Sequence, residues 1–117
     1  MLHFQLPESK LNPDKAMTMP FMFADTGLKL LLRTMCSAGC QKQFMKVKIA
    51  GGAAMRNGPA NFDIGKRNHL SIRKCLWQAG LMIEAEEVGG DIPRSLYMRL
   101  DTGAVFMKTP QGAKELQ

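Results

Sequence analysis

Histidine and cysteine are the side chains best suited to acid–base and thiol chemistry near neutral pH, and this 117-residue sequence has two histidines and three cysteines. His3 lies in the stretch M-L-H-F-Q-L-P, which we interpret as a strand that Pro7 closes. Imidazole titrates near neutral pH, so histidine is the most frequent general base in enzymes. By residue type alone, His3 is more simply a partly exposed strand residue. His69 is a weaker candidate, because the first residue of a predicted helix is easily placed at the surface.

The cysteines do not form a recognisable metal or disulfide pattern. Cys36 and Cys40 are four residues apart, but a zinc site needs four ligands and no second pair follows. We therefore predict no metal and no cofactor, and we interpret Cys36 as a small buried apolar residue. Cys75 falls on the inner face of a predicted helix and is expected to pack in the core. An odd number of cysteines without framework spacing favours reduced thiols.

Two glycine pairs, Gly51-Gly52 and Gly89-Gly90, each follow a predicted strand. Glycine allows the positive φ angles of tight turns, which is the simpler explanation. Glycine at a strand end also lets the backbone approach a flat substrate closely. Neither pair has the spacing of a phosphate-binding loop. The turn and the substrate-contact interpretations both stay open on the residues alone.

The elements that must position these residues follow from apolar spacing and turn residues. The pattern predicts two main helices, over residues 23–38 and 69–79, with Asn68 capping the second. It predicts strands over residues 1–7, 44–50 and 81–88, and a C-terminal hairpin through Asp101-Thr102-Gly103. The order predicts an α+β layered sandwich in which the two helices pack on a mixed β-sheet. Residues 1–108 are predicted to form one domain, and residues 109–117 a frayed tail.

Composition limits the class of protein. A hydrophobic fraction of 45% and a charged fraction of 22% are typical of a globular domain. No apolar run approaches the roughly 20 residues of a membrane span, and no secretory signal is visible, so we predict a cytoplasmic protein without membrane insertion. The net charge is +6, but the basic residues are scattered and only eight side chains are aromatic. We therefore predict no nucleic-acid binding, and we expect either a solvated basic surface or one that meets an acidic protein partner.

Six stretches occur in the order and spacing of one known family. They are M-L-H-F-x-L-P, A-D-T-G-L-x-L-L-L-x-x-M, K-I-A-G-G-A-A-M, I-G-K-R-N, E-V-G-G-D-I-P-R and D-T-G-A-V. Together they resemble the CheD family of chemoreceptor glutamine deamidases, from about Met1 to Lys108. The resemblance implies hydrolysis of receptor glutamine side chains to glutamate and ammonia by a cysteine nucleophile with a histidine partner. It also implies two partners, methyl-accepting chemoreceptors and a CheC-type phosphatase.

The resemblance assigns roles to particular residues. The family histidine corresponds to His3, which would act as the general base. The residues expected to shape the receptor-binding cleft are the strand-end glycines and one arginine: Gly51, Gly52, Gly89, Gly90 and Arg94. The family nucleophile lies in a G-S-C-type stretch upstream of the histidine, which this sequence does not contain. None of Cys36, Cys40 and Cys75 has a matching context.

We therefore expect little or no turnover from these 117 residues alone. Two explanations stay open: a start assigned at an internal methionine of a longer active protein, or a short relative that keeps only the binding surface. In the second case the protein would be a non-catalytic adaptor for chemoreceptors or the phosphatase. A missing upstream segment would leave a strand edge exposed, so we also expect self-association through the N-terminal strand.

Overall fold

The computed structural model describes residues 1–54 and 63–117. Within these residues the helices are α1 (Pro13–Thr18), α2 (Ala24–Ser37) and α3 (Ile64–Gln78), and the strands are β1 (Val47–Gly51), β2 (Ile83–Val88), β3 (Ser95–Met98), β4 (Val105–Thr109) and β5 (Gly112–Glu115). Short 3₁₀ turns occupy Ser9–Leu11, Pro20–Met22 and Lys42–Phe44. The predicted α+β class, with two main helices and a C-terminal hairpin, is confirmed.

The chain groups into two compact units. The first comprises Met1–Met45 and Arg67–Met82, and the second comprises Lys46–Lys66 and Ile83–Gln117. In the first unit, α2 buries Ala24, Gly27 and Leu28 on one stripe, the spacing that an amphipathic helix requires. Other buried apolar side chains of this unit include Phe23, Ile72, Leu76 and Leu81.

The opening segment differs from the predicted strand. Residues 1–5 belong to no strand, and a single parallel bridge joins Leu6 to Phe23. Gln5 N and Leu6 N both donate to Met22 O, at 2.9 and 3.0 Å, and Ala24 N donates to Leu6 O at 2.9 Å. The neighbour of this segment is a 3₁₀ turn entering a helix, so only these few backbone groups align. The alternating residue pattern therefore predicted the extended backbone correctly, but the strand that it predicted over residues 1–7 was wrong.

Helix α3 begins earlier than the sequence predicted. Asp63 Oδ1 accepts a hydrogen bond from Lys66 N at 3.1 Å, which is the contact of an N-cap. Asn68, the predicted cap, lies inside the helix, and its side chain contacts Gln5 instead. Asp and Asn are both common N-cap residues, and the first turn, I-G-K-R, has too little apolar spacing to choose between them. The predicted cap was therefore wrong by about one turn.

The second unit contains all five of the strands named above. β1 and β2 pair in parallel, from Val47 opposite Ile83 to Gly51 opposite Val88, with a register shift after Val47. The strands β3, β4 and β5 form an antiparallel sheet in that order. The predicted hairpin joins β3 to β4: Arg99 N donates to Ala104 O at 2.9 Å, and Gly103 N donates to Arg99 O at 2.8 Å.

The predicted frayed tail is instead ordered as strand β5. Gly112–Glu115 pairs with β4, and Leu116 is only 3% exposed. Leu116 N also donates to Val105 O at 2.7 Å. The turn forms because Thr109 Oγ1 accepts from Gln111 N at 3.2 Å and donates to Gly112 O at 3.3 Å. The sequence did not indicate this second hairpin because the segment is mostly polar and only one of its side chains, Leu116, is buried.

Candidate functional site

His3 is exposed in an extended segment whose following residues are anchored from two directions. One anchor is the set of backbone bonds from Gln5 and Leu6 to Met22. The other is helix α3. Asn68 Nδ2 donates to Gln5 O at 3.0 Å, and Ser71 Oγ donates to Pro7 O at 2.6 Å. The backbone two residues beyond His3 is therefore held on both sides by groups of the first unit.

Asp25 fixes the next part of the same segment. Its carboxylate accepts from Ser9 N at 3.0 and 3.2 Å and from Ser9 Oγ at 2.7 Å. Thr26 Oγ1 donates to Pro20 O at 2.5 Å. A carboxylate in the first turn of α2 also interacts favourably with the helix dipole. The motif A-D-T-G thus has a structural role, tying the segment after His3 to the start of α2.

One polar atom beside this segment has no partner. Asn68 Oδ1 is buried, and no hydrogen-bond donor of residues 1–54 or 63–117 reaches it. Leaving a buried acceptor unpaired costs on the order of 1–3 kcal/mol. The roles of Asp25, Asn68 and Ser71 were missed by the sequence analysis, although Asp25 and Asn68 lie in the matched motifs.

The four predicted glycines come together in the second unit. Gly89 N donates to Gly51 O at 2.9 Å, and Ala54 N donates to Gly90 O at 2.8 Å. All four glycines have positive φ angles, between 67° and 115°. Side chains are strained in this region of φ, so the local backbone requires glycine. The two pairs form one structure, which we call the diglycine corner (Gly51, Gly52, Gly89 and Gly90).

Gly52 also packs closely against the first turn of α3. A Cβ atom on Gly65 would lie 2.6 Å from the carbonyl carbon of Gly52 and 3.0 Å from Ala53 O. A Cβ atom on Gly52 would lie 3.0 Å from Gly65 O. Two backbones approach here at a distance that only glycine permits. This contact accounts for the glycine in the motif I-G-K-R-N.

Arg94 lies at the diglycine corner. Its Nη2 atom is 3.7 Å from the position that a Cβ on Gly90 would occupy. Nη1 donates a long hydrogen bond of 3.4 Å to Ile92 O, and Nε is buried without a hydrogen-bond partner among the described residues. A guanidinium has five donors in a planar fork and suits carboxylate or carbonyl oxygens. The second unit thus contains all five residues that were predicted to shape the receptor-binding cleft, the diglycine corner and Arg94. His3 belongs to the first unit.

The three cysteines differ in exposure. Cys36 and Cys40 are exposed, so the prediction that Cys36 is buried was wrong. The buried stripe of α2 ends at Leu28, and Cys36 lies two turns beyond it. Cys75 is partly buried, and burial raises the pKa of its thiol, with the Ser71 hydroxyl opposing the rise. A raised pKa disfavours the thiolate that a nucleophile requires.

Metal binding and membrane insertion are two further possibilities for residues 1–54 and 63–117. No cluster of three or more His, Cys, Asp or Glu side chains there has the arrangement of a metal site. No helix there is long and apolar enough to cross a membrane.

Comparisons with known proteins agree with the motifs. The family model described as CheD chemotactic sensory transduction matches residues 5–109. A probable chemoreceptor glutamine deamidase CheD from Solibacter usitatus strain Ellin6076 is 40% identical over 116 residues, which are 99% of this chain and 69% of that relative. A protein of the same description, CheD 1 from Syntrophus aciditrophicus strain SB, is 42% identical over 112 residues, 96% of this chain and 70% of its own. CheD 2 from Anaeromyxobacter dehalogenans strain 2CP-C is 42% identical over 109 residues, 93% of this chain and 69% of its own.

These matches place the chain among the chemotaxis proteins. The chain belongs to the CheD family, as the six motifs indicated.

Proposed function

We propose that this protein is a chemoreceptor glutamine deamidase of the cytoplasmic chemotaxis machinery. The observation that carries the proposal is the 40% identity over 99% of the chain to a relative described as a probable chemoreceptor glutamine deamidase. The substrate would be the side-chain carboxamide of glutamines on methyl-accepting chemoreceptors. The products would be glutamate and ammonia.

His3 is proposed as the general base of a cysteine–histidine mechanism. The imidazole takes the proton of a thiol, and the thiolate attacks the carboxamide carbon. The C–N bond then breaks, the imidazolium gives its proton to the departing ammonia, and a thioester forms. Water hydrolyses the thioester to glutamate and the free thiol. The anchoring of the segment at Gln5 and Pro7 supports this role, because a base needs a fixed position.

The thiol is proposed to come from polypeptide outside these 117 residues. Cys36 and Cys40 are exposed at the end of α2, and burial disfavours the thiolate of Cys75. None lies in the family's G-S-C context. We therefore expect the 117-residue chain alone to release little or no ammonia, since loss of the nucleophile leaves only weak catalysis from binding.

The diglycine corner and Arg94 are proposed to bind the receptor. Gly51, Gly52, Gly89 and Gly90 present backbone without side chains, which lets a substrate approach closely. Arg94 adds a cation whose Nε atom is unpaired among the described residues. Such a group can bind a receptor carboxylate or the oxygen of a receptor carboxamide.

A non-catalytic adaptor is the second candidate function. The observation that favours it is that none of the three cysteines lies in the family's G-S-C context, and that burial disfavours the thiolate of Cys75. Such a protein would bind chemoreceptors or a CheC-type phosphatase through its basic surface. Salt-sensitive capture of either partner, without deamidation by the chain in any form, would select this function.

Self-association through the N-terminal segment is proposed as an accompanying property. Met1 is 65% exposed, and the one strand bridge of residues 1–7 within the described part of the chain joins Leu6 to Phe23. Unpaired extended backbone can pair with another chain. Sedimentation should show a concentration-dependent dimer that removal of residues 1–4 abolishes. A monomer at all concentrations would contradict the proposal.

The test of the function uses two forms of the protein. One is the 117-residue chain, and the other, here called the extended chain, carries the G-S-C-containing segment of the CheD family ahead of Met1. Each is incubated with the cytoplasmic fragment of a chemoreceptor, and ammonia release and conversion of glutamine to glutamate are measured. We expect deamidation by the extended chain only. Robust deamidation by the 117-residue chain would contradict the account of the thiol, and inactivity of both forms would contradict the deamidase function.

A further inference from the structure

Helix α3 carries two large apolar side chains on its solvent face. Leu70 is 59% exposed and Trp77 is 80% exposed. Residues seven apart on a helix differ by only about 20° in direction, so the two lie on one line along α3. The buried residues of the helix, Ile72 and Leu76, lie on the opposite side. We call the surface formed by Arg67, Leu70, Arg73, Lys74 and Trp77 the outer face of α3.

Cations flank this apolar line on both sides. At about 100° per residue, Arg73 falls on one side of the line from Leu70 to Trp77, and Arg67 and Lys74 fall on the other. All three basic residues are exposed. Helix α3 contains no Asp or Glu in its sequence I-G-K-R-N-H-L-S-I-R-K-C-L-W-Q. The outer face therefore has apolar side chains along its centre and basic side chains along both edges.

This combination is typical of a binding surface and not of an ordinary solvated helix. Single exposed apolar residues are common and need no explanation. Tryptophan and arginine are enriched in protein interfaces, where tryptophan frequently contributes a large share of the affinity. Here a tryptophan and a leucine are aligned on a regular helix and bordered by cations. We propose that the outer face of α3 binds an acidic amphipathic helix of a partner protein.

The charges select this occupant over two others. A second copy of the chain would bring the cations of one outer face against those of the other, and each chain already has a net charge of +6. Nucleic acid would find phosphate-binding cations at the edges but an aliphatic leucine at the centre. A helix with an apolar seam bordered by Glu or Asp complements both the centre and the edges. The proposal concerns binding alone, and it stands or falls separately from deamidation.

The experiment uses a reporter that the protein already contains. Trp77 is the only tryptophan in the chain, so its emission reports on the outer face directly. The probe is a synthetic helical peptide with leucines at heptad spacing and glutamates at the flanking positions. The matched control peptide carries lysines in place of the glutamates. We expect a saturable blue shift of Trp77 emission and reduced acrylamide quenching with the acidic peptide only, and a weaker response at high salt.

Variants of the protein locate the binding. Lys74→Glu and Leu70→Ser should each weaken binding of the labelled acidic peptide by about tenfold in anisotropy, equivalent to about 1.4 kcal/mol. Lys108→Glu is the matched control, because it makes the same charge change at an exposed position on β4 and should leave binding unchanged. Circular dichroism confirms that each variant is folded.

Three results would overturn the proposal. The first is no response of Trp77 up to about 1 mM acidic peptide. The second is equal binding of both peptides, or binding that Lys74→Glu leaves unchanged. The third is tighter binding of a single-stranded oligonucleotide than of the acidic peptide, which would make the outer face a nucleic-acid surface.

Discussion

The amide nitrogen of Gly89 donates a hydrogen bond of 2.9 Å to the carbonyl oxygen of Gly51, and this bond joins the two glycine pairs. It continues the parallel pairing of β1 and β2 beyond Gly51 and Val88. A second bond, from Ala54 N to Gly90 O, holds the next residues together. The diglycine corner is therefore a single hydrogen-bonded structure, although its halves are far apart in the sequence.

Gly65→Ala should destabilise the protein. A methyl group there would meet the carbonyl carbon of Gly52 at 2.6 Å, and backbone cannot move aside as a side chain can. We expect a loss of about 1–3 kcal/mol in the free energy of unfolding, measured in urea. Gly27→Ala is the control, because its methyl would meet the end of the Leu2 side chain at 3.0 Å and the backbone, at Phe21 Cα, only at 3.2 Å. An equal or smaller loss at Gly65 would contradict the close approach.

Asp25→Ala should release the segment that follows His3. The Asp25 carboxylate accepts hydrogen bonds from Ser9 N and Ser9 Oγ, and both would be lost. We expect a destabilisation of about 1–3 kcal/mol and faster hydrogen exchange of the Ser9 amide. Asp14→Ala, in the first turn of α1, removes the same charge and should cost less. Unchanged hydrogen exchange of the Ser9 amide would show that the Asp25 carboxylate does not hold this segment.

Cys75 should react more slowly with iodoacetamide than Cys36 and Cys40. Burial raises the pKa of the Cys75 thiol, whereas the other two side chains are exposed. At pH 8 we expect a difference of about tenfold, measured by peptide mass mapping of the native protein. Comparable rates in urea would serve as the control. A Cys75 that reacts first would contradict its assignment as an inert thiol.

The same shift predicts a pH effect on stability. The unfolded chain releases the Cys75 proton at a lower pH than the folded chain does. The contribution of Cys75 is therefore complete below the unfolded pKa and is lost as the pH rises through the folded pKa. Cys75→Ala should flatten this alkaline fall in the free energy of unfolding.

Arg94→Lys should weaken receptor binding in the extended chain. Lysine keeps the charge but loses the planar fork of donors. We expect KM for the receptor fragment to rise by about tenfold with kcat little changed, the pattern of a lost ground-state contact. Arg99→Lys is the control, since Arg99 pairs with Asp101 at 2.6 Å on the surface of the β3–β4 turn. A fall in kcat alone would place Arg94 outside substrate binding.

Much of the fold could be predicted from local pattern. Helix α2, strands β1 and β2 and the hairpin through Gly103 each combine a clear apolar period with a turn residue at the end. The structure brings the four glycines together because their motifs follow strands that pair in the second unit, and their role in receptor binding, like that of Arg94, stays a prediction. The general-base role proposed for His3 comes from the resemblance to the CheD family, because no local pattern indicates it.

The errors have different physical causes. The extended segment before Pro7 depends on contacts with residues distant in sequence, such as Asn68 with Gln5. The pairing of β5 depends on one buried leucine, and the Asp63 cap is a local contact that the apolar pattern could not distinguish from a cap at Asn68. Cys36 was misplaced because the helix continues beyond its buried stripe. The spacing of apolar residues predicts where a helix or strand lies. It does not predict how much of that element is covered by its neighbours.

The central claim is that His3 deprotonates a thiol from the family's G-S-C segment. The direct measurement is the rate of ammonia release from a chemoreceptor fragment by the extended chain with His3→Ala, compared with Gln5→Ala two residues away. We predict a loss of at least about 100-fold for His3→Ala, with Gln5→Ala close to the unmodified rate. Equal rates for the two variants would contradict the claim.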